Sequence, residues 1–296
     1  MGLVRNARVT LEMIKWEHSV FAIPFALCGA VLAARGWPSA RQFVWILVAM
    51  VAARSTAMAF NRLADAELDA ANPRTRQRAL PAGLLSRQFV WGFVVLAAAL
   101  FVLSAAELNR LCLYLSPVAL AVLLAYSYTK RFTRWSHLVL GFADGIAPAA
   151  GWIAVRGALD ARIVILVGAV TFWVGGFDVL YACQDYDFDQ RTGLHSIPRY
   201  TGIGRALVIA RLMHVGMLLL MVWIIFAFHL STLAWVGVAV VGLLLAYEHS
   251  LVSAGDLSRL NAAFFTMNGV IALLYFAFLA ADLLMPAAGK WLVVSG

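Results

Sequence analysis

Long apolar runs constrain this chain more than any other feature of its sequence. Nine runs of about 17 to 25 residues carry few charges, and helices of that length cross the hydrocarbon core of a bilayer. Their approximate boundaries are 18–34, 43–62, 88–106, 111–128, 136–155, 162–184, 205–228, 231–250 and 262–285. Backbone groups cannot stay unpaired in lipid, and the runs lack the alternation of a membrane barrel. The pattern therefore predicts an all-α integral membrane protein with about nine transmembrane helices.

The composition fits a chain that faces lipid. Of its 296 residues, 63% are hydrophobic and 13% are charged, against roughly 25% charged in an average globular protein. The net charge of +8 does not indicate a nucleic-acid partner, because the bases form no continuous stripe with interleaved aromatic residues. Three cysteines lie in apolar runs without metal-ligand spacing, so no disulfide framework is expected. We expect a single polytopic domain over 1–296, without a cleaved signal peptide.

The distribution of lysine and arginine predicts the orientation. With the N-terminus in the cytoplasm, sixteen of the 23 bases lie on the inner side, six on the outer side, and Arg54 lies within a span. This bias favours an inner N-terminus and an outer C-terminus, as in a bacterial inner membrane. The long inner connections, about 63–87 and 185–204, then carry most of the polar residues, and long loops are often functional.

The first acidic cluster lies at the inner end of the second run. Asn61, Asp65 and Asp69 are four residues apart, so a helix places an amide and two carboxylates on one face. Pro73 is expected to stop this helix, and three arginines follow at positions 74, 76 and 78.

The second acidic cluster lies at the inner end of the sixth run. Asp178, Tyr181, Asp185 and Asp189 share a helix face by the same spacing, and Gly193 is expected to break the helix. The chain has fifteen acidic residues, so two aligned clusters on the same side are conspicuous.

Aligned carboxylates repel each other unless a cation lies between them. Oxygen ligands of this kind suit Mg²⁺, which commonly bridges carboxylates to substrate phosphates. Four nearby bases complement a diphosphate: Arg74, Arg78, Lys130 and Arg131. The alternative is that both clusters are solvated helix ends that mark the membrane boundary. Two copies on one side, each with polar companions, favour a metal and diphosphate site.

These segments resemble a known family. NRLADAELDAANPRTRQRALPAG and DVLYACQDYDFDQRTGLHSIP are similar to the first and second signatures of the UbiA superfamily of membrane prenyltransferases. YSYTKRFTRWSHLVLGFADGIAPAAGW, between them, is similar too, so the resemblance covers most of the first seven predicted helices. KWEHSVFAIPFAL and YEHSLV resemble the 4-hydroxybenzoate polyprenyltransferase-like branch, which includes enzymes assigned to the futalosine route to menaquinone.

The resemblance implies helices around a central cavity capped by polar loops on the cytoplasmic side. In this family the two motifs hold Mg²⁺ and the diphosphate of an isoprenyl donor. Matching positions give the metal ligands Asn61, Asp65, Asp69, Asp185 and Asp189. They give the reacting-centre residues Asp178, Tyr181 and Asp185. They give the diphosphate contacts Arg74, Arg78, Lys130, Arg131, Asn61 and Tyr126. Arg62 replaces the aspartate often found after the asparagine, which leaves the ligand positions intact.

The implied reaction is Mg²⁺-dependent transfer of a polyprenyl group to a hydroxylated aromatic acid. The partners are then a polyprenyl diphosphate, an aromatic acceptor and membrane lipid, with no nucleic acid and no obligate protein partner. The diphosphate leaves, an allylic cation forms, and an electron-rich ring carbon attacks it. Asp178, Asp185 and the diphosphate itself are candidates for the final proton acceptor. Water would quench the cation, so a closed cavity suits this chemistry.

Two charged residues within spans have two interpretations each. Arg54 lies seven residues before Asn61 on the same predicted face, and a cation at membrane depth commonly faces a cavity or a partner. It either contacts the aromatic acceptor, for example its carboxylate, or pairs with an internal acid such as Asp144. Asp144, in turn, is either an acceptor-pocket residue or part of the packing of a helix interrupted by glycine and proline.

The remaining polar residues within the runs are assigned simpler roles. Glu248 and His249 are interpreted as an interfacial polar pair at the end of the eighth run. His214 and Cys112 are assigned to packing.

Other functions share some of these features. A membrane transporter would also carry intramembrane charges, although it would place acids near the bilayer midplane. A naphthoate or futalosine-type acceptor in menaquinone biosynthesis fits the same motifs, and the shared motifs also allow a porphyrin acceptor. The sequence leaves the length of the prenyl chain open.

Overall fold

The computed structural model describes residues 2–16, 19–260 and 267–285. This part of the chain is built from α-helices, as predicted, joined by turns and by one longer connection over 72–86. The helices are α1 Gly2–Ile14, α2 Ser19–Ala34, α3 Ala40–Ala64, α4 Ala66–Ala71, α5 Arg87–Leu108, α6 Arg110–Thr129, α7 Ser136–Arg156, α8 Ile163–Ala182, α9 Tyr186–Thr192, α10 Ile197–Thr201, α11 Ile203–Phe228, α12 Thr232–Ser250 and α13 Asn268–Leu284.

Seven helices in the described part of the chain are long and apolar enough to cross a membrane: α3, α5, α6, α7, α8, α11 and α12. The expectation of a multi-pass membrane protein is therefore confirmed. The predicted runs 18–34 and 262–285 correspond to the shorter apolar helices α2 and α13, and positions 18 and 262–266 lie outside the described residues. The count of nine spans stays a prediction.

Helix α8 lies at the centre of the bundle, where it packs against α7 on one side and α11 on the other. Trp173 of α8 is 1% exposed, and its ring centroid lies 4.9 Å from that of Phe25 on α2. Phe25 also stacks on Tyr275 of α13, with 5.9 Å between centroids. Large rings that interlock in this way fix the positions of several helices at once.

Small residues let α2 and α7 approach each other closely. A Cβ added at Gly29 would overlap the backbone of Pro148, and a Cβ at Gly151 would overlap the carbonyl oxygen of Ala26. Small residues at such crossings are a common feature of membrane helix packing. This contact is significant for the site because α7 forms one wall of the cavity described below.

We expect Gly151→Ala to destabilise the protein by about 1–3 kcal/mol, because the added methyl group forces two helix backbones apart. Gly92→Ala is the matched control, since Gly92 lies in α5 and a Cβ there meets no atom within 4 Å. Thermal unfolding of both variants in detergent, followed by tryptophan fluorescence, measures the difference. Equal unfolding midpoints for the two variants would contradict the close contact.

The interpretation of Glu248 and His249 as an interfacial pair is wrong. Glu248 is 1% exposed, because α12 packs against α13 and Asn268 of α13 shares a hydrogen bond with it. His249 Nε2 instead lies 2.9 Å from Nδ1 of His214 on α11. His214 is buried, as its assignment to packing requires. The three cysteines are free thiols, as expected.

Candidate active site

The first motif folds across a break between two helices. Helix α3 ends at Ala64, and α4 begins at Ala66. The N–H of Asp65 still donates to the carbonyl of Asn61 at 2.9 Å, and the N–H of Asp69 donates to that of Asp65 at 2.7 Å. The helical spacing therefore survives the break, and the three polar side chains stay together. Asn72 is extended because it precedes a proline, so the helix ends where predicted.

The second motif folds in a similar way. Helix α8 passes into a 3₁₀ turn at Cys183–Asp185 and continues as α9. Gly193 has a φ of 79°, a left-handed conformation that glycine adopts at little cost, and it caps α9. The predicted stop at Gly193 is confirmed.

Both motifs open into one cavity of about 390 Å³. Thirteen of the fourteen predicted site residues line it: Arg54, Asn61, Asp65, Asp69, Arg74, Arg78, Tyr126, Lys130, Asp144, Asp178, Tyr181, Asp185 and Asp189. The other walls are largely apolar and come from α3, α5, α6, α7 and α8, with side chains such as Phe101, Leu123 and Phe177. The cavity therefore has a charged end, formed by the two motifs, and an apolar interior.

Arg131 is the predicted residue that does not line the cavity. Its guanidinium donates to the carbonyl oxygen of Ala64, at the C-terminus of α3, and lies 3.8 Å from Asp65 Oδ1. It also lies over the ring of Tyr128, 5.2 Å from its centroid. These contacts satisfy a carbonyl that has no partner within its helix, so the side chain caps α3.

Each carboxylate of the first motif is paired with a base. Lys130 Nζ donates to Asp65 Oδ2 at 2.6 Å, which joins the end of α6 to the end of α3. Arg78 Nη1 donates to both oxygens of Asp69, at 2.7 and 2.9 Å. Asp65 and Asp69 are 2% and 6% exposed, so these charge-assisted bonds are largely shielded from water.

Asp185, in the second motif, accepts hydrogen bonds from residues that follow the first motif. Its Oδ1 accepts hydrogen bonds from Arg74 Nε at 2.9 Å and from Asn72 Nδ2 at 3.0 Å. Arg74 Nη1 also donates to the Tyr181 hydroxyl at 3.0 Å. Burial alone would lower the pKa of Arg74, but the hydrogen bonds and negative charge of Asp185 raise the pKa above its ordinary value. Arg74 therefore remains a cation at this position.

Further hydrogen bonds hold the remaining polar groups of both motifs. Ser196 Oγ donates to Asp189 Oδ2 at 2.6 Å. Asn61 Nδ2 donates to Asp65 Oδ2 at 3.1 Å and to Ser127 Oγ at 3.4 Å. Arg62 Nη1 donates to the amide oxygen of Asn61 at 3.4 Å, which fixes which way that amide points.

Arg54 and Asp144 lie on the cavity wall. Their side chains are not within ion-pair distance of each other, although their charges interact, so both interpretations of each residue stay predictions. Arg54 Nε is buried without a hydrogen-bond partner. A buried donor without a partner is costly, and a ligand in the cavity could satisfy it.

Sequence reasoning missed four polar residues that shape the site: Asn72, Ser127, His137 and Ser196. Two of them carried a local signal, since Asn72 precedes a proline and accepts from the N–H of Arg74, and Ser196 is the N-cap of α10. His137, at the start of α7, is 4% exposed and lies 2.7 Å from Asp178. Its spacing to that acid, 41 residues, gave no signal.

The geometry defines a helical membrane protein with an acidic and basic cluster at one end of an apolar cavity. Residues 22–271 match the UbiA prenyltransferase family. The chain therefore belongs to the UbiA prenyltransferase family and is a prenyl-transferring enzyme. This assignment favours the enzyme over the transporter.

Similar proteins cover most of the chain. The 4-hydroxybenzoate solanesyltransferase of Synechocystis sp. is 32% identical over 251 residues, covering 80% of this chain and 82% of the relative. The 4-hydroxybenzoate octaprenyltransferase of Vibrio cholerae is 30% identical over 269 residues, covering 90% and 94%.

Two solved structures share the fold. The apo structure of a UbiA homolog from Aeropyrum pernix K1 has a TM-score of 0.82 and 33% identity, covering 90% of this chain and 98% of that one. A UbiA homolog from Archaeoglobus fulgidus, bound to DMAPP and Mg²⁺, has a TM-score of 0.74 at 19% identity, covering 93% and 98%.

Proposed function

We propose that this protein transfers a polyprenyl group from a polyprenyl diphosphate to a hydroxylated aromatic acid of the 4-hydroxybenzoate type, in quinone biosynthesis. One observation carries the proposal: two acidic motifs and three bases converge at the polar end of a cavity whose other walls are largely apolar. The relatives named 4-hydroxybenzoate solanesyl- and octaprenyltransferase support this class of acceptor.

The residues of the polar end fit Mg²⁺. Within the described ranges, Asp65 Oδ1 is a buried carboxylate oxygen that has no hydrogen-bond partner, with only the Arg131 guanidinium 3.8 Å away, and a cation would satisfy it. Among the described residues no ready-made cluster of metal ligands is formed, since several carboxylates are turned toward bases. The residues that would hold the ion are Asn61, Asp65, Asp69, Asp185 and Asp189. When bound, Mg²⁺ stabilises the negative charge that builds up on the departing diphosphate.

The bases then act on the diphosphate. Arg74, Arg78 and Lys130 are each bonded to a carboxylate, and each reaches the cavity on a long side chain. When the diphosphate binds, each base can leave its carboxylate and bond to a phosphate oxygen, so that its positive charge stays paired. Tyr126 lines the same cavity, and Arg131 supports the site from outside by its contact with Asp65.

Bond breaking follows from this charge arrangement. The allylic carbon–oxygen bond breaks, its electron pair goes to the diphosphate, and the allylic fragment becomes a cation. A ring carbon ortho to the acceptor hydroxyl forms the new carbon–carbon bond, and the ring proton leaves to restore aromaticity. Asp178, Asp185 and the diphosphate remain candidates for that proton. Tyr181 borders the reacting centre through its bond to Arg74.

The apolar walls suit the prenyl chain and the acceptor ring. Phe101, Ala119 and Leu123 extend the cavity between α3, α5 and α6, where the chain can lie away from water. Arg54, with its unpartnered Nε, is the proposed contact for the acceptor carboxylate, and Asp144 lies in the same acceptor pocket.

The identity of the acceptor is tested directly. Purified protein with Mg²⁺ is given 4-hydroxybenzoate, a hydroxynaphthoate and a futalosine-type compound, each with polyprenyl diphosphates of several lengths, and products are identified by mass spectrometry. We expect a prenylated 4-hydroxybenzoate. Prenylation of the naphthoate or futalosine-type compound alone would replace the proposed acceptor with the menaquinone alternative, and product with none of them would overturn the proposal.

We expect removal of divalent cations with EDTA to reduce transfer to background. The carboxylates would then face the donor diphosphate with no cation between them, and like charges repel. Added Mg²⁺ should restore the rate, which is measured as labelled product over time. Undiminished transfer in excess chelator would contradict the metal assignment.

We also propose that residues 1–296 form one domain in a bacterial inner membrane, with the N-terminus and the site in the cytoplasm. The excess of bases on that side supports this orientation. Labelling of single cysteines at positions 76 and 158 in intact cells, with a reagent that does not cross the membrane, distinguishes the two sides. We expect the reagent to label position 158 and not position 76. Labelling of position 76 alone would show that the orientation is the opposite of the one proposed.

A further inference from the structure

His137 is a buried residue that the reaction outlined above does not use. It lies at the start of α7, is 4% exposed, and faces both α8 and the segment that leads into α10. Its Nδ1 lies 2.7 Å from Asp178 Oδ2. Its Nε2 accepts a hydrogen bond from the backbone N–H of Ile197 at 3.2 Å. Both ring nitrogens are therefore occupied.

These two contacts determine where the ring proton lies. A backbone N–H can only donate, so Nε2 must carry the lone pair. In a neutral imidazole the proton is then on Nδ1, and it points at Asp178. Asp178 Oδ2 is consequently the acceptor of this bond, and a proton on that oxygen would leave two hydrogens facing each other. The geometry thus makes Oδ2 of Asp178 the acceptor of this bond and leaves Oδ1 as the oxygen that the histidine does not engage.

The segment around Ile197, whose N–H donates to Nε2, is bonded to the polar end of the site. Ser196, next to Ile197, donates to Asp189 Oδ2 at 2.6 Å. The N–H of His195 donates to the carbonyl of Lys130 at 2.7 Å. The segment that fixes the histidine is therefore tied to the second motif and to a base of the diphosphate site.

We propose that His137 is a positioning residue that fixes Asp178 for its action on the acceptor. The Asp178 side chain is 26% exposed and lines the cavity. Because His137 engages Oδ2, Oδ1 is left to face the acceptor, and the proton on Nδ1 stays in place during the reaction. This inference rests on the proposed prenyl transfer, to which it adds a residue.

A merely structural role is the competing explanation, since His137 also joins α7 to α10. Two variants separate the roles. His137→Phe keeps a ring but makes neither bond, whereas His137→Gln offers an amide that can donate to Asp178 and accept from Ile197. We expect His137→Phe to lower kcat about 10- to 100-fold, as the loss of a supporting hydrogen bond commonly does. The KM for the prenyl diphosphate should stay unchanged, and His137→Gln should recover most of the loss.

A double-mutant cycle with Asp178→Asn links the effect to its partner. If His137 acts through Asp178, His137→Phe has little further effect once that carboxylate is gone. Independent losses in kcat that multiply in the double variant, or a wild-type kcat in His137→Phe, would overturn the proposal. So would a change confined to the KM for the diphosphate.

A spectroscopic readout does not depend on activity. Nitrogen-15 NMR of the protein labelled in its six histidine rings reports which ring nitrogen carries the proton, and the signal absent from His137→Gln is that of His137. We expect a proton on Nδ1 and none on Nε2, and the reverse pattern overturns the proposal even where His137→Phe does not fold. Wild-type protein without transferase activity would refute the proposed function, while the NMR result would still decide the histidine geometry.

Discussion

Asp65→Asn is expected to reduce prenyl transfer severely, lowering kcat/KM by about a hundred- to a thousandfold, because the cation that would stabilise charge on the departing diphosphate loses a ligand. Asp65 is 2% exposed, one of its oxygens is bonded to Lys130, and the other has no hydrogen-bond partner. An amide retains the size of the side chain but removes the negative charge that would hold a cation. The rate of product formation in membranes or detergent measures the effect.

The chain provides its own control for this prediction. Glu67→Gln makes the same chemical change two residues away, at an exposed position outside the cavity lining, and should leave the rate near that of the wild type. Asp185→Asn and Asp187→Asn form a second matched pair in the other motif, because Asp187 is exposed while Asp185 lines the cavity. Full activity in Asp65→Asn or Asp185→Asn would refute the metal assignment.

Arg54→Gln is expected to raise the KM for a carboxylated acceptor by about 10- to 100-fold, the range for losing a hydrogen bond to a charged group. Arg54 lies on the cavity wall with Nε buried and without a hydrogen-bond partner. Its proposed partner is the acceptor carboxylate. The KM for the prenyl diphosphate should change little, since the diphosphate contacts lie elsewhere in the cavity.

Two controls make this second prediction specific. The same variant is assayed with a phenol that lacks the carboxylate, for which the loss should disappear. Arg41→Gln, at an exposed ion pair with Glu107, should behave like the wild type with both acceptors. Equal losses of Arg54→Gln with both acceptors would show that the side chain supports the pocket without recognising the carboxylate.

The fold and the site centre were predictable because they depend on periodicity. Apolar runs of a given length specify membrane helices, and seven of them are present as long helices in the described residues. The spacing of Asn61, Asp65 and Asp69 brought these side chains together even though the helix breaks after Ala64, because the i to i−4 hydrogen bonds continue through the break. Helix ends at a pre-proline residue and at Gly193 followed from backbone sterics.

Other parts of the site depend on contacts between distant segments, which periodicity does not encode. Asn72 reaches Asp185 across 113 positions, and His137 reaches Asp178 across 41. Arg131 lies next to a base that lines the cavity, yet it donates to the carbonyl oxygen of Ala64, 67 positions away, and caps α3. The position of Glu248 at the end of a run predicts an interface, because the sequence does not show that Asn268 of α13 packs against it.

The carboxylate–base pairs have a consequence for how the site fills. Asp65, Asp69 and Asp185 are each paired with a base, namely Lys130, Arg78 and Arg74, so these three carboxylates already have balanced charges. A divalent cation alone would bind the carboxylates and leave three positive side chains without a partner. A diphosphate alone would bind the bases and leave the carboxylates without a partner. A cation and a diphosphate that arrive together let every charge exchange one partner for another. Under the proposed function, we therefore expect a divalent cation and a diphosphate to bind together more readily than either ion alone.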